Sequence, residues 1–145
     1  MQPSGYQILE HTADIGVAAW GPTVTDAFAA AARGMFAIIL GSDPQERPVG
    51  GREGTLEVET TGEDWPALLV NWLSELLFHF EVERFVPLQY TFEACAPPRC
   101  RARVSGRYLD SLEDVGGVGI KAVTYHQIAV EIGPARTDVR VIFDI

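Results

Sequence analysis

Positive charge is what this chain has least of: 11 Lys and Arg stand against 20 Asp and Glu, a formal net charge of −9. Proteins that grip a phosphate backbone do so with clustered Lys and Arg that displace counterions, so the balance argues against direct nucleic-acid binding. A cation or a basic protein surface suits it better. Cysteine is nearly absent too. Cys95 and Cys100 are the whole supply, and they flank Ala96-Pro97-Pro98-Arg99, which reads as a hairpin tip. Two thiols alone do not close a tetrahedral zinc site. A reduced pair is the expectation, with a cross-hairpin disulfide as the alternative that would require an oxidising compartment. No apolar run reaches the roughly 18 to 20 residues that span a bilayer, and no basic leader precedes an apolar stretch. The expected location is therefore the cytoplasm, away from membranes. Gly-x-Ser-x-Gly, His-Glu-x-x-His and Cys-x-x-Cys are all missing, which removes the common hydrolase and zinc-enzyme signatures.

What is present is material for a core. With 145 residues and 47% hydrophobic content, the chain fits one domain over 1–145. Residues 6–10 and 15–20 read as short strands, the second alternating Ile15, Val17 and Ala19. Thr23 then offers a hydroxyl cap with Asp26 three residues on, and Phe28, Ala31, Met35 and Ile39 share a helical face. The stretch between Gly41 and Gly54 carries no period and reads as a loop. Residues 55–61 alternate again. From Asp64 to about Glu83, with Pro66 in the first turn, Leu68, Leu69, Trp72, Leu73, Leu76, Leu77 and Phe80 recur at helical spacing; this segment is the expected core helix. Strands follow at 88–95, 101–106, 127–132 and 139–143. The fold class is α+β: a sandwich of two main helices packed on one mostly antiparallel or mixed sheet.

Chemistry-bearing residues gather at two distant points of the sequence. His11-Thr12-Ala13-Asp14 falls between the first two strands, where the plain reading is a turn held by Thr12 and Asp14. The chain closes on Val141-Ile142-Phe143-Asp144-Ile145, where the plain reading is a frayed end. A terminal strand docked in the sheet would instead fix Asp144 and the Ile145 α-carboxylate at one edge, and two such anions repel unless a cation or donors offset them. With Asp14 added, three carboxylates form an all-oxygen set suited to Ca²⁺, Mg²⁺ or Mn²⁺. Upstream of Ile120-Lys121, the run Val115-Gly116-Gly117-Val118-Gly119 is rich enough in glycine to suggest a phosphate cradle, but it lacks the Gly-Lys-Ser/Thr sequence and reads as a turn. His79, among leucines, reads as structural.

Taken in order, His11-Thr12-Ala13-Asp14-Ile15-Gly16, Leu68-Leu69-Val70-Asn71-Trp72-Leu73-Ser74-Glu75-Leu76-Leu77, Lys121-Ala122-Val123-Thr124-Tyr125-His126 and the closing pentapeptide resemble the archease family over nearly the whole chain. The resemblance implies a small cytoplasmic, chaperone-like accessory protein rather than an enzyme. Archeases activate the GTP-dependent RNA-splicing ligase of tRNA splicing and RNA repair, promoting its guanylylation and multiple turnover. It further implies a metal site on Asp14, Asp144 and the carboxylate of Ile145, with Ca²⁺ the ion expected there and Mg²⁺ or Mn²⁺ as alternatives, and with His11 adjacent and Lys121 supporting activation. Asn71, where the family often has Asp, and the glycine-rich 115–119 turn depart from the pattern. The rival readings are a general chaperone or adaptor, and a stand-alone metal-dependent enzyme, which would need a nucleophile the chain does not display.

Overall fold

The computed structural model describes residues 3–10 and 14–145. Local chemistry sets the helix ends. The Thr23 hydroxyl accepts the Asp26 amide at 3.2 Å while the Asp26 carboxylate accepts the Thr23 amide at 3.2 Å, a reciprocal cap that starts α1 (Val24–Leu40). Asp64 accepts the Ala67 amide at 2.9 Å and Pro66 pre-sets the first turn of α2 (Trp65–Glu83). That helix stops at Arg84, which takes a left-handed backbone (φ 59) and returns its amide to Phe80.

The strands form two sheets, and every pairing among the described residues is antiparallel. In the first, β1 (Gly5–Glu10) pairs with β2 (Ile15–Gly21), and β2 with β8 (Thr137–Asp144). The far edge of β8 is shared by β6 (Ala122–Val123) and β7 (Ala129–Ile132). In the second, β5 (Arg99–Tyr108) lies between β3 (Arg52–Thr61) and β4 (Phe85–Ala96). Both helices touch both sheets: α1 meets β1, β2, β8 and β4, and α2 meets β3, β4, β5, β6 and β7.

The α+β sandwich expected from sequence is therefore present, with its strands divided between two sheets instead of one. Periodicity reveals which face of a strand is apolar but not which strand it pairs with. The division changes which helix is most central. Lying between two sheets, α1 is buried from Ala27 to Leu40 apart from Ala29 and Arg33. The segment expected to be the core helix, α2, does fill the core with Leu68, Leu69, Trp72, Leu73 and Leu76 but leaves Phe78 and Val82 exposed. A buried link ties the two, the Trp72 indole N–H donating to the Phe28 carbonyl at 3.0 Å.

The outer face of the second sheet carries a charge ladder. Arg103 meets Glu57 at 2.9 Å, Arg99 meets Glu59 at 3.3 Å, and Arg101 sits 3.6 Å from Glu59. Much of the chain's scarce positive charge is thus matched within this sheet. At its hairpin tip the expectation of reduced thiols fails: Cys95 and Cys100 are directly opposed in the β4–β5 register and joined as a disulfide. A tip closing on Ala96 opposite Arg99 places the two Cβ atoms side by side, which the spacing of the cysteines alone did not decide.

Candidate functional site

The register of the first sheet brings the distant ends of the sequence together. Ile15 is opposite Phe143, so one residue beyond the last registered pair stand Asp14 on one chain segment and Asp144 on the other. On the opposite edge of β8, Ala122 is paired with Asp144, and the Lys121 amide donates to the Asp144 carbonyl at 2.7 Å. Asp14, Asp144, Ile145 and Lys121 therefore converge at one end of the sheet. His11 lies outside the described residues.

These residues differ in their access to water. Asp144, Ile145 and Lys121 are exposed, while Asp14 is half-buried. One of its carboxylate oxygens, Oδ1, is buried with no hydrogen-bond partner among the described residues. A carboxylate oxygen withdrawn from water without a donor is costly, and a cation or an added donor relieves it. The donor set fits a hard cation, since carboxylate and carbonyl oxygen are its preferred ligands. Among the described residues no three His, Cys, Asp or Glu side chains are close enough to hold a metal by themselves. An ion here would have to draw on the Ile145 carboxylate, backbone oxygen or water as well as Asp14 and Asp144.

The glycine-rich segment joins the end of α1 to this site. The amides of Gly116, Gly117 and Val118 donate to the carbonyls of Leu40, Ile39 and Ile38 at 3.1, 3.1 and 2.9 Å. Gly41, left-handed at φ 83, gives its amide to Ala37 at 2.9 Å. All four orphan carbonyls of the last turn of α1 are thereby satisfied. Because those amides are spent on the helix, they are not free to cradle a phosphate, in line with the turn expected from sequence. Past Ile120, which is buried, the segment delivers Lys121 to Asp144.

After β6 the chain leaves the sheet again. Thr124 gives both its amide (3.1 Å) and its hydroxyl (2.8 Å) to the Ile142 carbonyl, and that hydroxyl oxygen accepts the His126 amide at 3.2 Å. Gln127 takes a left-handed backbone (φ 53), and the turn presents Tyr125 and His126 to solvent. Strand length was the missed signal: two residues at β6 are too few for an alternation to register. His79 sits between Glu75 (3.3 Å) and Glu83 (3.2 Å) on α2, a structural role as expected.

Asn71 proves more than surface variation. Its side-chain amide donates to the Thr61 carbonyl at 2.5 Å, tying α2 to the end of β3, a bond that an ionised Asp cannot make because it has no proton to give.

Comparison with known proteins agrees with this architecture. A model of the Archease protein family matches residues 6–145. A protein from Methanosarcina mazei named "Protein archease" is 36% identical over 148 residues, covering 99% of this chain and 98% of that protein. The solution structure of protein 1598 of Methanobacterium thermoautotrophicum superposes with a TM-score of 0.73 at 24% identity, covering 97% of this chain and 99% of the other. A crystal structure from Thermotoga maritima, described as an archease and possible chaperone, gives a TM-score of 0.65 at 19% identity, with 94% of each chain covered. At these identities the two structures speak to the fold alone.

Proposed function

Because the chain belongs to the archease family, we propose that it serves as an accessory activator of the GTP-dependent RNA-splicing ligase, promoting ligase guanylylation and turnover through a divalent-cation site on Asp14, Asp144 and the Ile145 carboxylate. The observation that carries this reading is the register that sets Asp14 and Asp144 at the same end of β2 and β8, with Asp14 Oδ1 buried and without a hydrogen-bond partner among the described residues. Lys121 supports activation from beside the acids, and His11 is given a supporting role by the family resemblance alone.

In this reading the residues divide the work by position. Asp14, half-buried, supplies the anchored oxygen. Asp144 and the chain end, both exposed, supply oxygens that a partner's active site can reach. Lys121 is held beside them through its amide, leaving its exposed ammonium for a phosphate or carboxylate of the partner. When bound, a divalent cation supplies fixed positive charge where a nucleotide phosphate gains negative charge. The net charge of −9 supports contact with a basic protein surface in preference to RNA. The test is guanylylation of the cognate ligase, measured with and without this protein. Stimulation by the parent and none by an Asp14→Ala or Asp144→Ala variant is expected; equal stimulation by all three defeats the reading.

A general chaperone or adaptor is the second reading. The exposed Phe78, Val82 and Tyr125 favour it, because a client-binding surface needs accessible apolar groups. Capture from cell extract separates the two: a single ligase partner supports activation, and many unfolded clients support the chaperone.

A further inference from the structure

Gly117 stands three residues before the buried Ile120 and four before Lys121. Its own contacts are with α1. A Cβ at this position would meet the Ile38 carbonyl oxygen at 1.9 Å, the Gly41 nitrogen at 2.6 Å and the Ile39 carbonyl oxygen at 2.8 Å. All three are backbone atoms of the helix end, which cannot rotate away as a side chain would. The bare Cα therefore lets residues 116–118 lie against the last turn of α1 and make their three hydrogen bonds. Its neighbours differ sharply. A Cβ at Gly116 would find only the Leu40 carbonyl oxygen at 3.6 Å, ordinary contact, and one at Gly119 would meet nothing within 4 Å.

We propose that Gly117 is a positioning residue for the acidic end of the sheet: by seating the 116–118 segment on the α1 carboxyl terminus it sets the register in which Ile120 is buried and the Lys121 amide meets the Asp144 carbonyl. This inference rests on the reading of that end as a cation site, and it states how the site is held in place. The span from the clamp to Lys121 is short. Val118 is bonded to Ile38, Gly119 follows, Ile120 is fixed by burial, and Lys121 is next. A slip of the clamp therefore has only Gly119 in which to be absorbed. The Lys121 bond in turn holds Asp144, at the end of β8, from the edge opposite the β2 pairing that brings up Asp14.

The test compares Gly117→Ala with Gly116→Ala and Gly119→Ala, the same change at three positions of one segment. Amide hydrogen exchange at Lys121 reads the positioning directly and needs no metal; titration calorimetry with Ca²⁺ alone reads the site. Exchange at Lys121 should speed up by about tenfold or more in Gly117→Ala, while Gly116→Ala and Gly119→Ala keep parental exchange. The affinity for Ca²⁺ should fall by about tenfold in the same variant only. Should Gly117→Ala fail to fold, insertion of one glycine between Gly119 and Ile120 leaves the clamp untouched and shifts the register at Lys121, with the same two losses expected. A folded Gly117→Ala or insertion variant with parental Lys121 exchange overturns the proposal, as does equal loss in all three alanine variants. A parent protein that takes up no Ca²⁺ defeats the cation reading separately, since the exchange measurement still decides the positioning.

Discussion

The backbone amide of Lys121 donates to the backbone carbonyl of Asp144 at 2.7 Å, joining a residue that follows a glycine-rich turn to the penultimate residue of the sequence. On the other side of β8 the pair Ile15 and Phe143 brings up Asp14. A short strand end is thus held from both edges, and its acids are presented by backbone bonds, not by side-chain packing. The acids there can change without unfolding the sheet, whereas the buried Ile15 and Phe143 cannot.

Replacement of Asp14 by Ala should accordingly cost no stability. The residue contributes a buried oxygen without a partner among the described residues, and removing an unsatisfied buried polar atom is neutral or stabilising. Melting temperature in metal-free buffer should match or exceed that of the parent. The parent alone should gain stability on addition of Ca²⁺, by an amount that grows with the logarithm of ion concentration. An Asp14→Ala protein that melts well below the metal-free parent contradicts this assignment.

Extension beyond Ile145 tests the terminal carboxylate. Two added alanines move the charge away from Asp144 while leaving the Val141–Val17 pairing and the rest of β8 intact. The extended protein should fold with unchanged circular dichroism and lose most of the ion-dependent rise in melting temperature. A rise equal to that of the parent shows that the α-carboxylate takes no part.

Trp72→Phe addresses the core. The indole N–H is the buried link to the Phe28 carbonyl, and the ring lies 5.0 Å from Phe92 and 6.0 Å from Tyr90, centroid to centroid. Phenylalanine keeps part of the ring contact, loses the hydrogen bond and leaves space unfilled. A cost of about 1–3 kcal/mol is expected in urea unfolding, with an unchanged slope. Guanylylation activity of the folded variant should be parental, because the substitution lies in the core and not at the acidic end.

Much of this was legible in the residues. The Thr23–Asp26 cap, Asp64 and Pro66 at the head of α2, and the buried positions Phe28, Ala31, Met35 and Ile39 follow from local chemistry that acts within four residues. Asp14, Asp144 and Lys121 were identified as candidates, yet their convergence depends on pairings across more than a hundred residues for the β2–β8 contact, which no local period records. Strands β3 and β4 begin at Arg52 and Phe85, earlier than alternation indicates, because Gly54 and Pro87 interrupt the pattern while the β5 partner continues it. The clamp at residues 116–118 looked like a bare turn since its partners are helix carbonyls, invisible in a list of side chains.

Alkaline pH offers a last test, at the Asp43 carboxylate. Asp43, almost fully buried, accepts from the Tyr6 hydroxyl at 2.8 Å, the Arg33 guanidinium at 2.7 Å and the Gln45 amide at 2.8 Å, so β1, α1 and the following loop share one carboxylate. Burial, and then the hydrogen bond to Asp43, push the Tyr6 phenol up from 10.0 to about 12. Burial also raises Tyr90. A proton held more tightly in the folded than in the unfolded chain stabilises the fold, fully so below pH 10. Between pH 10 and about 12 the unfolded chain has released the Tyr6 proton and the folded chain has not, so stability must fall as pH rises. Urea unfolding of the parent should therefore weaken steadily across that window. Tyr6→Phe should flatten the decline without abolishing it, because Tyr90 contributes a loss of the same sign. A variant whose stability falls as steeply as the parent's shows that the Tyr6 phenol is not held by Asp43 in solution.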